Sequence, residues 1–347
     1  MARVILVSNR LSVSVQKRES RFEYQPSIGG LATGVGSLFR ENERLWIGWP
    51  GLSSAGLSAE EVSSLRETLL SRHQAIPVFL SDDEIERYYH GFCNDTLWPL
   101  FLYFPDYARY EQSLWETYRQ VNEKFCAATL EVAQSGDVIW VHDYQLMLLP
   151  GLLRARRPES LIGFFLHIPF PSFELFRLLP WRKQLLEGML GADLVGFHTY
   201  DYVSHFVTCV RRLLAAEHSF GQIHYGNRLI KADVFPMGID YERYAKALRR
   251  YEVHKELRGL ARLADGRKTL LSVDRLDYTK GITQRLQAFK LFLEKYPEYR
   301  QKVKLVLIVA PSRTGVEKNQ ELLREVNILV SSINGTYSTV DWVPVLY

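Results

Sequence analysis

KTLLSVDRLDYTKGITQRLQAFKLF, residues 268–292, runs from an apolar stretch through a charged turn into an amphipathic one. KTLLSV lacks the polar alternation of a half-exposed strand, so it is predicted to be a strand covered on both faces. The segment Thr283–Lys295 sets Leu286, Phe289, Leu291 and Phe292 at helical spacing and is predicted to be a helix. Between them lie Arg275, Asp277 and Lys280, and Gly281 opens the helix. A helix N-terminus carries free N–H groups and partial positive charge, so two cations beside it suit a phosphate or pyrophosphate. Asp277 is expected to orient one of the cations. Taken alone, the same residues also fit a solvated loop with an ordinary surface ion pair.

The strand–turn–helix unit recurs along the chain. Further strands are predicted at Val4–Val7, Asp137–Val141, Leu161–Leu166, Asp193–Phe197, Leu229–Val234 and Lys304–Val309, with Lys268–Val273 the strand quoted above. Ser113–Ala133 carries Leu114, Trp115, Tyr118, Val121 and Phe125 on one helical face. Apolar strands alternating with helices imply an α/β fold with a doubly wound parallel sheet, whose functional groups gather at the carboxyl ends of the strands. VFPMGIDYERY, from Val234 to Tyr244, ends a strand with Pro236 and Gly238 and starts a charged helix. A boundary is therefore placed between residues 1–240 and 241–347. The second domain is expected to be incomplete, being shorter than a usual doubly wound domain, and two such domains facing each other would form a ligand cleft.

Composition narrows the function. The chain has 347 residues, 47% of them apolar and 24% charged, with a net charge of +4. That charge is too small, and too little clustered, to argue for nucleic acid. No stretch reads as a signal peptide or a membrane span. Cys93, Cys126 and Cys209 are far apart and show no zinc spacing, as expected of a cytoplasmic protein. No metal cofactor is expected. A homo-oligomer is compatible with the sequence but not required by it.

Other strand ends repeat the theme. VILV runs into Ser8-Asn9-Arg10, and SIGGLATGVGSLF follows, where Gly29 and Gly30 allow close backbone approach to a ligand or simply make a turn. DVIWVHDYQLMLLP delivers His142 and Asp143; the carboxylate either accepts sugar hydroxyls or caps the helix expected near Tyr144-Gln145. LIGFFLHIPFP delivers His167 before Pro169 and Pro171, and a histidine there is structural or catalytic. YYHGFCNDTLWPLF gathers Tyr88, Tyr89, Phe92, Trp98 and Phe101, and LWIGWPG adds Trp46 and Trp49. Such rings stack on pyranose faces or, more commonly, fill cores. LIVAPSR ends on Arg313. Arg10, Asp143, His167, Arg275, Lys280 and Arg313 each follow a predicted strand, so parallel strands would turn all six toward one cleft.

These motifs, with GGLATGV, ADLVGFHTYDYVSHF, VFPMGID and SVDRLDYTKGI in the same order, resemble the trehalose-6-phosphate synthase family over essentially the whole chain. The resemblance implies a two-domain GT-B glycosyltransferase that moves glucose from UDP-glucose to glucose 6-phosphate with retention of configuration. It implies that Arg275 and Lys280 hold the donor diphosphate beside Gly29 and Gly30. His167 would lie at the donor sugar, making His167, Arg275 and Lys280 the catalytic set. Arg10 and Arg313 would clamp the acceptor phosphate, and Trp49, Tyr89, Trp98 and Asp143 would line the acceptor pocket. It assigns acceptor binding to residues 1–240 and nucleotide-sugar binding to 241–347.

The family continues for another hundred or so residues, with an acidic residue on the donor ribose and a loop on the donor sugar that this sequence lacks. Three alternatives stay open: a sugar-phosphate-binding regulatory fragment, a transferase with another phosphorylated acceptor such as glycerol 3-phosphate, and a nicotinamide-dependent oxidoreductase. The missing GxGxxG speaks against the last.

Overall fold

A computed structural model describes residues 3–19, 21–27, 34, 44–219, 221–264, 266–311 and 317–347. The chain divides into two compact units, Met1–Ile239 and Asp240–Tyr347. The strands of the first are β1 (Val4–Arg10), β2 (Val13–Arg18), β3 (Arg21–Pro26), β4 (Arg44–Trp49), β5 (Ala75–Pro77), β6 (Val138–His142), β7 (Leu161–Phe165), β8 (Leu194–Phe197), β9 (Glu217–Ser219), β10 (Gln222–Tyr225) and β11 (Arg228–Val234). Nine of them form one sheet in the order β5-β4-β1-β6-β7-β8-β11-β10-β9, while β2 and β3 make a separate antiparallel hairpin. Pairing is parallel from β5 through β11; β10 and β9 add an antiparallel edge.

In β1 the consecutive residues Ile5, Leu6 and Val7 are all fully buried, as an unbroken apolar strand covered on both faces requires. Leu6 packs with Leu11, Val13, Val15, Trp46, Leu65 and Leu69, which places the hairpin and α1 (Ala59–His73) on one face. α1 starts at a capping box in which the Ser58 hydroxyl accepts from Glu61 N–H and the Glu61 carboxylate accepts from Ser58 N–H. The other principal helices of this unit are α2 (Gln112–Val132), α3 (Leu149–Arg156), α4 (Arg182–Met189) and α5 (Tyr200–Leu214). At the amino end of β8, the Asp193 carboxylate accepts from Arg154 at 2.7 Å, Arg228 at 2.9 Å and the N–H of Ile162 at 2.9 Å. One carboxylate thus ties α3, β7 and β11 together, leaving the carboxyl edge to the functional residues.

The second unit contains α6 (Tyr251–Ala264), β12 (Lys268–Arg275), α7 (Ile282–Lys295), β13 (Val303–Ala310), α8 (Glu317–Tyr337) and β14 (Val345–Leu346). Its sheet, β12-β13-β14, is parallel. Leu286, Phe289 and Leu293 of α7 pack with Val326 and Ile333 of α8 and with Leu305 and Leu307 of β13. The opposite face is open: Leu271, Val273 and Ile308 are 67%, 62% and 52% exposed. The prediction that β12 is covered on both faces is therefore corrected; among the described residues its core lies on one side.

The seven predicted strands all form. Sequence reading missed β4 and β5, the β2–β3 hairpin and the antiparallel edge made by β10 and β9. Of the two roles open to the rings of RLWIGW, packing holds for the segment as a whole: Leu45 to Trp49 are buried in a strand between β1 and β5.

Candidate functional site

β1 and β4 are parallel neighbours, and their register sets Arg10 opposite Trp49. The Arg10 guanidinium lies 4.4 Å from the centre of a Trp49 ring, a cation–π arrangement. Trp49 is anchored by its indole N–H, which donates to Leu52 O at 2.7 Å. Tyr89 approaches Trp49 edge-on at 5.8 Å. A Cβ at Gly51, whose φ is +98°, would come within 2.9 Å of the Arg10 guanidinium. Arg10 remains exposed while Trp49 is buried. The result is an accessible cation on an aromatic wall, suited to an anion joined to a ring with an apolar face.

Tyr89 belongs to a π-helix, Ile85–Leu97, a wide-register element that the sequence did not reveal. Its neighbour Tyr88 turns inward, and its hydroxyl donates to Asn9 Oδ1 at 3.0 Å. Tyr88, Phe92 and Phe101 are fully buried and Trp98 nearly so, packed against Tyr144 at 5.8 Å. For most of this aromatic set the packing role holds, and Tyr89 is the half-buried member.

Next along the edge come β6, β7 and β8. Asp143 has φ +74°, an uncommon conformation for a non-glycine residue. Its N–H donates to Phe165 O at 2.8 Å, and its Oδ1 accepts from the backbone N–H of His167 at 3.1 Å. The carboxylate makes no side-chain cap on the short 3₁₀ turn Tyr144–Leu146. The helix expected there gives way to this turn, with α3 starting at Leu149.

The imidazoles of His142, His167 and His198 form a row. His142 Nδ1 lies 3.0 Å from His167 Nε2, their rings are stacked at 5.3 Å, and His198 meets His167 edge-on at 5.7 Å. Burial pushes the His142 pKa well below the ordinary histidine value, with the neighbouring His167 adding to the shift. Burial, aided by His198, brings His167 down to about 3. These rings are neutral near pH 7, so His167 can offer a hydrogen bond but not a positive charge.

In the second unit Arg275 ends β12 and is exposed, as is Lys280. Gly281, at φ +62°, turns the chain into α7 without a Cβ penalty. Asp277 is buried and accepts from the N–H and hydroxyl of Thr279 at 3.0 and 2.8 Å, shaping the turn. Beside it, the Asp274 carboxylate pairs with Arg285 at 2.6 Å. Arg285 also donates to Lys280 O at 3.2 Å. Neither Asp274 nor Arg285 was singled out from sequence, because they meet only when the first turn of α7 packs against the end of β12.

Arg10, Trp49, Tyr89, Asp143 and His167 thus belong to the carboxyl side of the first unit, and Arg275 and Lys280 to that of the second. Gly29, Gly30 and Arg313 lie outside the described residues. Among the described residues, no group of three or more His, Cys, Asp or Glu side chains is arranged to hold a metal ion.

The parallel sheets with cations at their strand ends define a doubly wound α/β protein, and comparison with known proteins specifies which. The profile of glycosyltransferase family 20 matches residues 2–347, and the chain belongs to that family. Its fold is the GT-B type. It is 43% identical over 349 residues to an alpha,alpha-trehalose-phosphate synthase [UDP-forming] of Aspergillus niger, covering 99% of this chain and 67% of that protein. A Burkholderia xenovorans alpha,alpha-trehalose-phosphate synthase (UDP-forming) solved in complex with glucose-6-phosphate is 32% identical, with a TM-score of 0.86, covering 100% of this chain and 74% of that one. A structure described as trehalose-6-phosphate from E. coli bound with UDP-2-fluoro glucose is 30% identical, with a TM-score of 0.85, covering 100% of this chain and 73% of that one.

Proposed function

We propose that the chain is a UDP-forming alpha,alpha-trehalose-phosphate synthase, transferring glucose from UDP-glucose to glucose 6-phosphate with retention to give trehalose 6-phosphate and UDP. The observation that carries this reading is the combination, within a family 20 chain, of the Arg10–Trp49–Tyr89 wall with a helix N-terminus flanked by Arg275 and Lys280. The glucose-6-phosphate complex and the UDP-2-fluoro glucose complex of its relatives support the two substrates.

In this reading Arg10 takes the acceptor phosphate together with Arg313. Trp49, Tyr89, Trp98 and Asp143 line the acceptor sugar, Gly29 and Gly30 approach the donor diphosphate, and His167 lies at the donor sugar. The anomeric C–O bond to the diphosphate breaks while a new C–O bond forms to an acceptor hydroxyl. The hydroxyl proton passes to the leaving phosphate oxygen. Negative charge grows on UDP, and the preorganised charges of Arg275, Lys280 and the α7 N-terminus stabilise it. No metal is assigned a part, and no carboxylate nucleophile is invoked. A cytoplasmic location is part of the proposal and agrees with three free, buried cysteines. No helix among the described residues is long and apolar enough to cross a membrane.

The test is a coupled assay for UDP release with UDP-glucose and glucose 6-phosphate. Release that depends on both substrates is the expected result. Calorimetric binding of glucose 6-phosphate without any UDP release would replace the transferase reading with a sugar-phosphate-binding one. Release with glycerol 3-phosphate in place of glucose 6-phosphate would change the acceptor.

A further inference from the structure

His142 has no part in the reading above, yet it is the residue in contact with the polar edge of His167. It is 1% exposed, and its Nδ1 is 3.0 Å from His167 Nε2. Its other nitrogen, Nε2, is buried with no hydrogen-bond partner among the described residues. The surroundings are aromatic: Trp140 lies 4.6 Å from the His142 ring, and Phe165 lies 4.6 Å from His167. The nearby carboxylate of Asp143 is directed to the backbone N–H of His167.

Two neutral arrangements of the pair are available. If His167 donates from Nε2, His142 Nδ1 must accept, and the His142 proton sits on Nε2, where a buried N–H has no acceptor. If His142 donates from Nδ1, only a lone pair is left at its Nε2. Buried orphan N–H groups are rarer in proteins than under-satisfied acceptors, which favours the second arrangement. His167 Nε2 is then the acceptor, and the His167 proton is confined to Nδ1. A neutral imidazole in water exchanges between both forms; a partner at one nitrogen selects which one persists.

We infer that His142 is a positioning residue that locks His167 as the Nδ1–H tautomer, so that His167 presents a neutral N–H donor from Nδ1 to an oxygen of the bound sugar nucleotide. The tautomer follows from the geometry of the pair; its use on the donor rests on the transferase reading. The sugar oxygen facing His167 must then accept a hydrogen bond, and any O–H of its own must donate to a different acceptor. The lock also explains why a buried histidine with an unpaired nitrogen occurs at a strand end where a leucine would pack at lower cost.

The test is nitrogen NMR of the chain labelled with ¹⁵N-histidine, because protonated and unprotonated ring nitrogens resonate far apart. The wild-type chain should show His167 protonated at Nδ1 and bare at Nε2. H142L should release His167 to an exchanging mixture or to the Nε2–H form. H142N, whose amide N–H can replace the Nδ1–H donor, should restore the wild-type signature. A wild-type His167 protonated at Nε2 overturns the inference, as does an H142L spectrum with an unchanged His167. In the UDP-release assay, kcat should fall at least tenfold in H142L and recover mostly in H142N; equal losses in the two variants would mean that His142 serves packing alone. If the unmutated chain releases no UDP, the transferase reading fails while the tautomer result stands on its own spectrum.

Discussion

Arg275 and Lys280 carry exposed positive charge beside a helix N-terminus, and in the proposed reaction they hold the donor diphosphate and gain further as negative charge grows on the leaving UDP. Arg275→Ala or Lys280→Ala should therefore lower UDP release by about 10²–10³-fold while leaving glucose 6-phosphate affinity nearly unchanged. Normal turnover in both variants would remove them from the mechanism. The buried imidazoles make the opposite kind of statement. His167 has a folded pKa of about 3, below the roughly 6.5 of an unfolded histidine. Between those values the unfolded chain binds a proton that the folded chain refuses, so stability falls as pH drops below about 6.5 and goes on falling to about 3. At pH 5 the loss from His167 alone is on the order of 2 kcal/mol, and His142 adds to it with the same sign. The urea midpoint should be clearly lower at pH 5 than at pH 7, with His167→Gln narrowing the difference. Equal midpoints in the wild type would show that the rings are not held neutral.

At the level of elements, the close approach of α3 to α4 depends on the absence of side chains at three places. A Cβ on Gly188 would lie 2.5 Å from Met147 O, and one on Gly191 would overlap the backbone of Pro150 and Gly151. Gly151 itself faces the Gly188 Cα. Backbone cannot give way as a flexible side chain can, so Gly191→Ala should destabilise the first unit by about 2–4 kcal/mol. Urea denaturation would measure this, and a change under 0.5 kcal/mol, the range of ordinary surface substitutions, would show that the helices can separate freely. α3 carries Arg154 and Met147 lies just before it, so the glycine contact also supports the Arg154–Asp193 pair and the bond that Met147 N–H donates to the Tyr118 hydroxyl. None of this was visible in a glycine read along the chain, since the contact joins residues 147–151 to 188–191 across two helices.

Over the whole molecule the two units differ in how fully they are covered. β1 and β4 of the first bury residues on both faces, whereas Leu271, Val273 and Ile308 leave an apolar strip exposed on the second. A hydrophobic dye such as anilinonaphthalene sulfonate should bind the native chain, and the pair Leu271→Lys with Val273→Lys should remove most of that signal without unfolding it. Undiminished dye fluorescence in the double variant would place the sticky surface elsewhere. Strand positions were legible along both units because period and apolarity are local properties: Val4–Val7, Leu161–Leu166 and Lys268–Val273 announce themselves wherever they sit. β4 escaped notice because RLWIGW mixes a glycine with two tryptophans, and only its place between β1 and β5 makes it a strand.

The catalytic candidates show the same division. That Arg10, Asp143, His167, Arg275 and Lys280 stand at strand ends could be read from the chain, because a strand followed by a turn is a short-range pattern. The family, too, was written in motif order. Which atoms touch was not: the Arg10–Trp49 contact, the Asp143 carboxylate on the His167 backbone, the His142–His167 pair and the Asp274–Arg285 bridge join residues between 11 and 39 positions apart. Local sequence governs φ, ψ and burial pattern one neighbourhood at a time. Hydrogen bonds and ring contacts depend on sheet order and helix docking, which the packing of the entire core sets.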